Sequence, residues 1–260
     1  MYEAIDYLSI NVDKMDVKDK ETFIVIGASR TGKGTLLAAL HGAKIKHYQK
    51  KSPKLAENAV AKSAAGMQFL APMGEDGLPC EDAIISHMHN SHTLSPKFVN
   101  KTPQYPDEFS EMQGIYSVDY PGLFESKGLE LDISMQLTLH KLITESKKAY
   151  ILVLVSAGIL LPENVKLFGN IKKKLNTMFD QPEKHVVIGI TKTRLYEETL
   201  GDEEDILSIA NGENDEQLNF KEYDVIVVEQ DNEKSIQEMI EAVKAKGCAK
   251  RFARQGFVDK

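Results

Sequence analysis

The chain has 260 residues, 42% hydrophobic and 27% charged, with a formal net charge of −7. This suits one large soluble domain or a domain with an insertion, and the acidic balance excludes a general nucleic-acid binder. Two cysteines, Cys80 and Cys248, make no disulfide framework, no apolar run approaches the roughly 20 residues that span a bilayer, and no signal peptide is visible, so the cytoplasm is the expected location.

Residues 1–20 are a polar N-terminal arm with scattered apolar side chains. Thr22 to Ile26 is an apolar run that reads as a strand. Gly27-Ala-Ser-Arg-Thr-Gly-Lys-Gly-Thr35 follows it, and 33–41 reads as the first helix. Strand, glycine-bounded loop, then helix is the setting of a phosphate-binding loop, and Gly27-x4-Gly32-Lys33 has its spacing. The chemistry needs these residue types. Backbone N–H groups at a helix N-terminus converge on phosphate oxygens, glycines permit close approach, and Lys33 brings an ammonium to the β- and γ-phosphates. Candidate phosphate-binding residues are therefore Gly27, Ser29, Arg30, Thr31, Gly32, Lys33, Gly34 and Thr35. One position departs. The motif places Ser or Thr directly after the lysine to hold Mg²⁺, and here Gly34 stands there with the hydroxyl one later, on Thr35. Gly-Lys-Gly-Thr is the ordinary form in nucleoside monophosphate kinases, whereas in a Gly-Lys-Ser-Thr GTPase Gly34 would be the loss of the metal hydroxyl.

Residues 42–80 read as an insertion. It starts basic, with Lys44, Lys46, Lys50, Lys51 and Lys54, and its alanine-rich stretch Leu55 to Leu70 favours helix. The basic start reads as a solvated face, with an acidic partner or a membrane surface as the alternative. His87, His89 and His92 follow in a polar loop. A fourth zinc ligand has no obvious source, so that loop reads as polar surface near a ligand. The strand Ile115-Tyr-Ser-Val-Asp119 then ends in an acid, with Gly122 three residues on. After a phosphate loop, such an acid reaches Mg²⁺ and such a glycine meets the γ-phosphate.

Leu131, Met135, Thr138, Leu139 and Leu142 recur at helical spacing over 129–147. Tyr150 to Val155 reads as a central parallel strand. A helix is expected over 163–179, with Val165, Leu167, Phe168, Ile171, Leu175 and Phe179 on its apolar face. His185 to Ile190 is another buried strand, ending in Thr191-Lys192-Thr193-Arg194. Residues 202–216 are an acidic helix or loop. Tyr223 to Val228 is the last strand, and Ser235–Lys246 the last helix with Ser235 as N-cap. A basic tail, 247–260, ends the chain. Alternating strands and helices predict an α/β fold, a mostly parallel sheet with helices on both faces and ligands at the strand C-termini.

Gly27–Thr35, then Asp119-Tyr-Pro-Gly-Leu-Phe124, then Thr191-Lys192 after a strand resemble a P-loop GTPase of the translation-factor-related class. They are most similar to immunity-associated and septin-like G domains and to protist G-domain proteins. The resemblance covers 21–246 apart from the insertion. It implies GTP or GDP on the loop, with Mg²⁺ held by Asp119 and by Thr93 in the first switch, beside Thr35. It implies the purine at Thr191 and Lys192, and a homodimer through the nucleotide face. The family's base motif has an aspartate that accepts from guanine; here Arg194, a pure donor, takes that place. Leu123 stands where a water-orienting glutamine would, and Glu229-Gln-Asp replaces the usual Ser-Ala-Lys. The expectation is a guanine-nucleotide switch with weak hydrolysis. A non-catalytic nucleotide-binding scaffold and a nucleotide kinase are the alternatives, and the kinase lacks the arginines to clamp a second phosphate substrate, having only Arg30, Arg194, Arg251 and Arg254.

Overall fold

A computed structural model describes residues 16–28, 30–49, 68–73, 96–99, 102–122, 129–212 and 220–246. The strands are β1 (Glu21–Gly27), β2 (Lys44–Gln49), β3 (Gln68–Met73), β4 (Lys97–Phe98), β5 (Ile115–Asp119), β6 (Lys148–Ser156), β7 (Val186–Thr191) and β8 (Asp224–Val227). The helices are α1 (Lys33–Leu40), α2 (Leu129–Glu145), α3 (Val165–Met178), α4 (Glu197–Leu200), α5 (Glu203–Ala210) and α6 (Glu233–Lys246). Six strands form one sheet in the order β4-β5-β1-β6-β7-β8, and β2 and β3 form a separate pair. Every pairing in the large sheet is parallel except that of β4 with β5.

Period-two alternation splits the core into two layers. From β1 and β6, Ile24, Ile26, Ile151, Val153 and Val155 face one side, against Met135, Leu139 and Leu142 of α2 and Phe168, Ile171 and Leu175 of α3. Phe23, Val25, Tyr150, Leu152 and Leu154 face the other, against Leu36, Leu37 and Leu40 of α1 and Ile236, Met239 and Ile240 of α6. The central strand is therefore apolar on both faces, as its unbroken run requires. Each such side chain, fully buried, contributes about 1.5–3 kcal/mol relative to exposure. This is the mostly parallel α/β sheet expected from the sequence, with a phosphate-loop motif after its first strand. The chain leaves β1 for β5 on one side and then crosses to β6 on the other. The end of β1 is thus a topological switch point, where open α/β sheets bind ligands.

Four local expectations change. Gln68–Leu70 belong to β3 and not to a helix: the β2 and β3 backbones pair antiparallel, Lys44 opposite Met73 and Gln49 opposite Gln68. Intrinsic helix propensity is a weak prior that pairing between chain-distant segments overrides. Residues 55–67 lie outside the described residues. Ser235 is not the cap of the last helix, which begins at Glu233. Asn232 caps instead, its Oδ1 accepting from the Ser235 N–H at 3.4 Å and its carbonyl from Ile236 at 3.1 Å. Leu167 points outward at 43% exposure, one position off the apolar stripe. The edge strand β4 was not foreseen, because two residues carry no periodicity. The acidic stretch forms α5, opened by a capping box in which the Asp202 carboxylate accepts from the Glu204 and Asp205 N–H groups and Asp205 answers to Asp202 N–H. Of the N-terminal arm, residues 16–20 are described; Val17 is buried and Lys18 bridges Ser146.

Candidate phosphate and nucleotide site

The loop between β1 and α1 is held in a shape that most residues avoid. Gly32 caps α1 with φ 88°, and Arg30 also lies in the left-handed region at φ 67°. Lys33, first residue of the helix, is 8% exposed. Its ammonium turns back across the loop and donates to the Gly27 carbonyl at 3.0 Å and the Ala28 carbonyl at 2.8 Å. Thr31 Oγ1 donates to the Ala28 carbonyl at 2.9 Å, closing the turn from within. The first turn of α1, whose N–H groups have no partner within the helix, thus opens at the end of the loop that holds the lysine charge. Ser29 lies outside the described residues.

Two other strand ends are fastened to the loop. Thr191 Oγ1, at the end of β7, donates to the Thr31 carbonyl at 2.8 Å and lies 3.2 Å from the Val155 carbonyl. Gln230, after β8 and 5% exposed, donates from Nε2 to the Gly32 carbonyl at 2.9 Å. Sequence reasoning placed Thr191 here but gave Gln230 no role; the only signal was a glutamine in the loop where the family has Ser-Ala-Lys. Ser235 fixes that loop in turn, accepting from the Glu229 N–H at 2.9 Å and donating to the Val227 carbonyl at 3.1 Å. Lys192 follows Thr191 with φ 62°, and loss of hydration together with nearby Arg30 holds its ammonium below the usual lysine range. Arg194 reaches across to the β8 loop. Its Nη1 donates to Asp231 Oδ2 at 2.8 Å and its Nη2 to Glu229 Oε2 at 3.0 Å.

On the opposite flank, Asp119 ends β5 directly beside β1, opposite Val25, and opposite Lys97 of β4. Tyr120 after it is fully buried, its hydroxyl donating to the Met135 carbonyl of α2, and burial drives its pKa far up. Gly122 is also buried. Asp119 thus ends its strand on one side of β1, and Thr191 is bonded to the loop from the other side. Thr35 lies on α1 with 3% exposure while Gly34 is exposed, so the two positions face different surroundings. Thr93 and Leu123 lie outside the described residues, as do His87, His89 and His92. Among the described residues no three His, Cys, Asp or Glu side chains gather as a metal site.

The glycines differ in what they tolerate. A Cβ on Gly27 would lie 2.4 Å from the Leu154 carbonyl oxygen and 2.8 Å from Thr31 Oγ1. A Cβ on Gly34 would meet nothing within 4 Å. Gly27→Ala is therefore expected to cost about 1–3 kcal/mol through overpacking against fixed backbone, whereas Gly34→Ala is expected to be neutral or stabilising by up to about 1 kcal/mol. Urea unfolding of both variants checks this; equal midpoints would contradict the loop packing.

Neither a protein-family model nor a curated protein sequence matches the chain. Solved structures with a similar course of chain include an Era variant from Aquifex aeolicus bound to GDP·AlF4− (17% identity, TM-score 0.40, 86% of this chain and 57% of that one). Others are the G domain of the T. maritima FeoB iron transporter (11%, 0.40, 87% and 98%) and an S. thermophilus NFeoB variant bound to GDP·AlF4− (14%, 0.44, 86% and 63%). The chain thus spans little more than half of the Era chain. The fold assignment stands on the strand order and the loop.

Proposed function

We propose that this chain binds a purine nucleoside di- or triphosphate, guanine by its resemblance to G domains, and acts as a nucleotide-dependent switch with slow hydrolysis. The observation that carries the reading is Lys33. A nearly buried ammonium that donates to two backbone carbonyls of the loop, at the N-terminus of an eight-residue helix, is a strong anion site. The residues present fit a phosphate chain. They fit Mg²⁺ less well, because Gly34 supplies no hydroxyl directly after Lys33.

The phosphates would lie on the loop's N–H groups and Lys33. Asp119 and Gly122 would flank the terminal phosphate, and the base would extend toward Thr191 and Lys192. Asp119 would be the residue to hold a Mg²⁺ there, and the ion would supply charge neutralisation for phosphoryl transfer. Titrating the purified protein with fluorescent GDP, GTP and ATP, with and without Mg²⁺, tests the reading; absence of binding to all three removes it.

A second reading is a non-catalytic nucleotide-binding scaffold, favoured by Gly34 and by Leu123 after Gly122. A kinase is disfavoured: of its few arginines, Arg194 is already forked onto two acids. A homodimer through the nucleotide face belongs to the proposal as its quaternary form.

Asp119→Ala is expected to weaken triphosphate binding more than diphosphate binding, and only with Mg²⁺ present. Its place beside β1 motivates this. Parallel titrations with and without chelator check it, and an equal, chelator-insensitive loss would make Asp119 a structural strand end.

A further inference from the structure

We propose that Gln230, on the loop after β8, is a positioning residue that sets the phosphate loop before nucleotide arrives: its side-chain amide holds the peptide between Gly32 and Lys33 so that the Lys33 N–H faces the phosphates. The inference rests on the nucleotide-binding reading above and adds the side chain that fixes the loop for it.

Gly32 needs such a hold. A glycine populates positive and negative φ about equally, so the φ of 88° at the cap of α1 is not secured by the residue itself. A side chain at that position is no remedy, because a Cβ on Gly32 would run into the Gln230 amide. The hold comes instead across 198 residues, from Gln230 Nε2 to the Gly32 carbonyl at 2.9 Å. The same carbonyl accepts from the Leu36 N–H at 2.9 Å, the first bond of α1. A carbonyl oxygen has two lone pairs, and these two donors use both. Within one planar peptide the C=O and the following N–H point in opposite directions. Two donors on the Gly32 oxygen therefore turn the Lys33 N–H the other way. Thr191, bonded to the Thr31 oxygen, does the same for the Gly32 N–H.

Gln230 is itself fixed. It is 5% exposed, and the residue before it is held by both backbone groups. The Glu229 N–H donates to Ser235 Oγ at 2.9 Å, and the Glu229 carbonyl accepts from the Asn232 N–H at 3.1 Å. Ser235 in turn donates to the Val227 carbonyl at 3.1 Å, tying the loop to β8. The amide thus reaches the phosphate loop from a backbone anchored at a strand end and at the start of α6. Its donor is uncharged, so it orients the loop without adding to the charge of Lys33. A ligand that meets a loop already in shape needs less of its binding energy to order it.

The test uses the full chain, with unlabelled GDP and GTP displacing fluorescent GDP from the native protein, Gln230→Met and Gln230→Glu. Methionine keeps the length of the side chain and removes the donor. It is expected to weaken GDP and GTP by the same factor, about three- to tenfold, the worth of one neutral hydrogen bond. Glutamate supplies a donor only while protonated, and burial opposite a carbonyl raises its pKa. Below that pKa it is expected to bind within about twofold of native and more tightly than Gln230→Met; above it, acceptor faces acceptor and binding falls below that of Gln230→Met. Affinities are taken relative to native between about pH 5.5 and about pH 8.5, the span in which a carboxyl raised by burial titrates. A contact that serves stability alone would lower the melting midpoint of Gln230→Met and leave its nucleotide affinity native, which overturns the inference. Tighter binding by Gln230→Met overturns it too, because the side chain would then occupy room the ligand needs. So does a Gln230→Glu protein that at the lowest pH binds no better than Gln230→Met. In these three cases nucleotide binding itself stands. A native protein that binds neither nucleotide overturns both readings.

Discussion

Replacing Lys33 by alanine is expected to lower affinity for nucleoside di- and triphosphates by one to two decades, with the fold retained. The ammonium sits at the point where the loop closes, bonded to the Gly27 and Ala28 carbonyls and nearly withdrawn from water. A charge-assisted hydrogen bond contributes about 1.5–3 kcal/mol, which sets the expected loss. Both carbonyls lose this donor when it goes, so a stability cost accompanies the binding loss. The core does not depend on it, since both apolar layers flank the sheet and lie away from the loop mouth. Lys33→Met separates the two effects by keeping the aliphatic stem. Equilibrium titration with fluorescent GDP and a thermal melt of each variant check the result. Native affinity in a folded Lys33→Ala protein would remove the loop from nucleotide binding altogether.

The parts of this site readable from sequence are those built from neighbouring residues. The loop announces itself because Gly27, Gly32 and Lys33 lie within seven positions between an apolar strand and a helix. The strand from Tyr150 to Val155 is legible because burial on both faces leaves no polar alternation to confuse it. What sequence could not give depends on side chains meeting across long separations. Arg194 shows in sequence only as a donor where an acceptor belongs; that Glu229 and Asp231 take its two nitrogens, 35 and 37 residues on, needs the loops after β7 and β8 to be neighbours. Gln230 meets Gly32 across 198 residues. Ser235 has the residue type and spacing of a cap, yet its hydroxyl is drawn to the Val227 carbonyl, and Asn232 takes the helix start. The pairing of Lys44–Gln49 with Gln68–Met73 was hidden by the alanine-rich stretch between them, whose local preference says nothing of its flanks.

Gly34→Ser is expected to strengthen Mg²⁺-dependent triphosphate binding, because it restores the hydroxyl that the loop's spacing places directly after the lysine. Gly34 is exposed and Thr35 buried, so the existing hydroxyl faces different surroundings from the one a serine at 34 would carry. Neighbouring helix positions differ by about 100° in direction. The substitution has room, since a Cβ at Gly34 meets nothing within 4 Å, and serine is a better helix residue than glycine by a few tenths of a kcal/mol. A loss of binding in this variant could therefore not be charged to unfolding. The native protein should bind nucleotide with weak Mg²⁺ dependence and turn it over at or below ~10⁻⁴ s⁻¹, the slow end of unassisted GTPases. Leu123, where a water-orienting side chain would stand, acts in the same direction. In a kinase the Gly-Lys-Gly-Thr loop is already the working form, so serine there would reduce binding and turnover. Mg²⁺-dependent affinity and single-turnover hydrolysis, measured on both proteins, separate the two. Fast Mg²⁺-dependent turnover by the native chain, or weaker binding after Gly34→Ser, would mean that Gly34 is a working part of the loop and not a lost metal ligand.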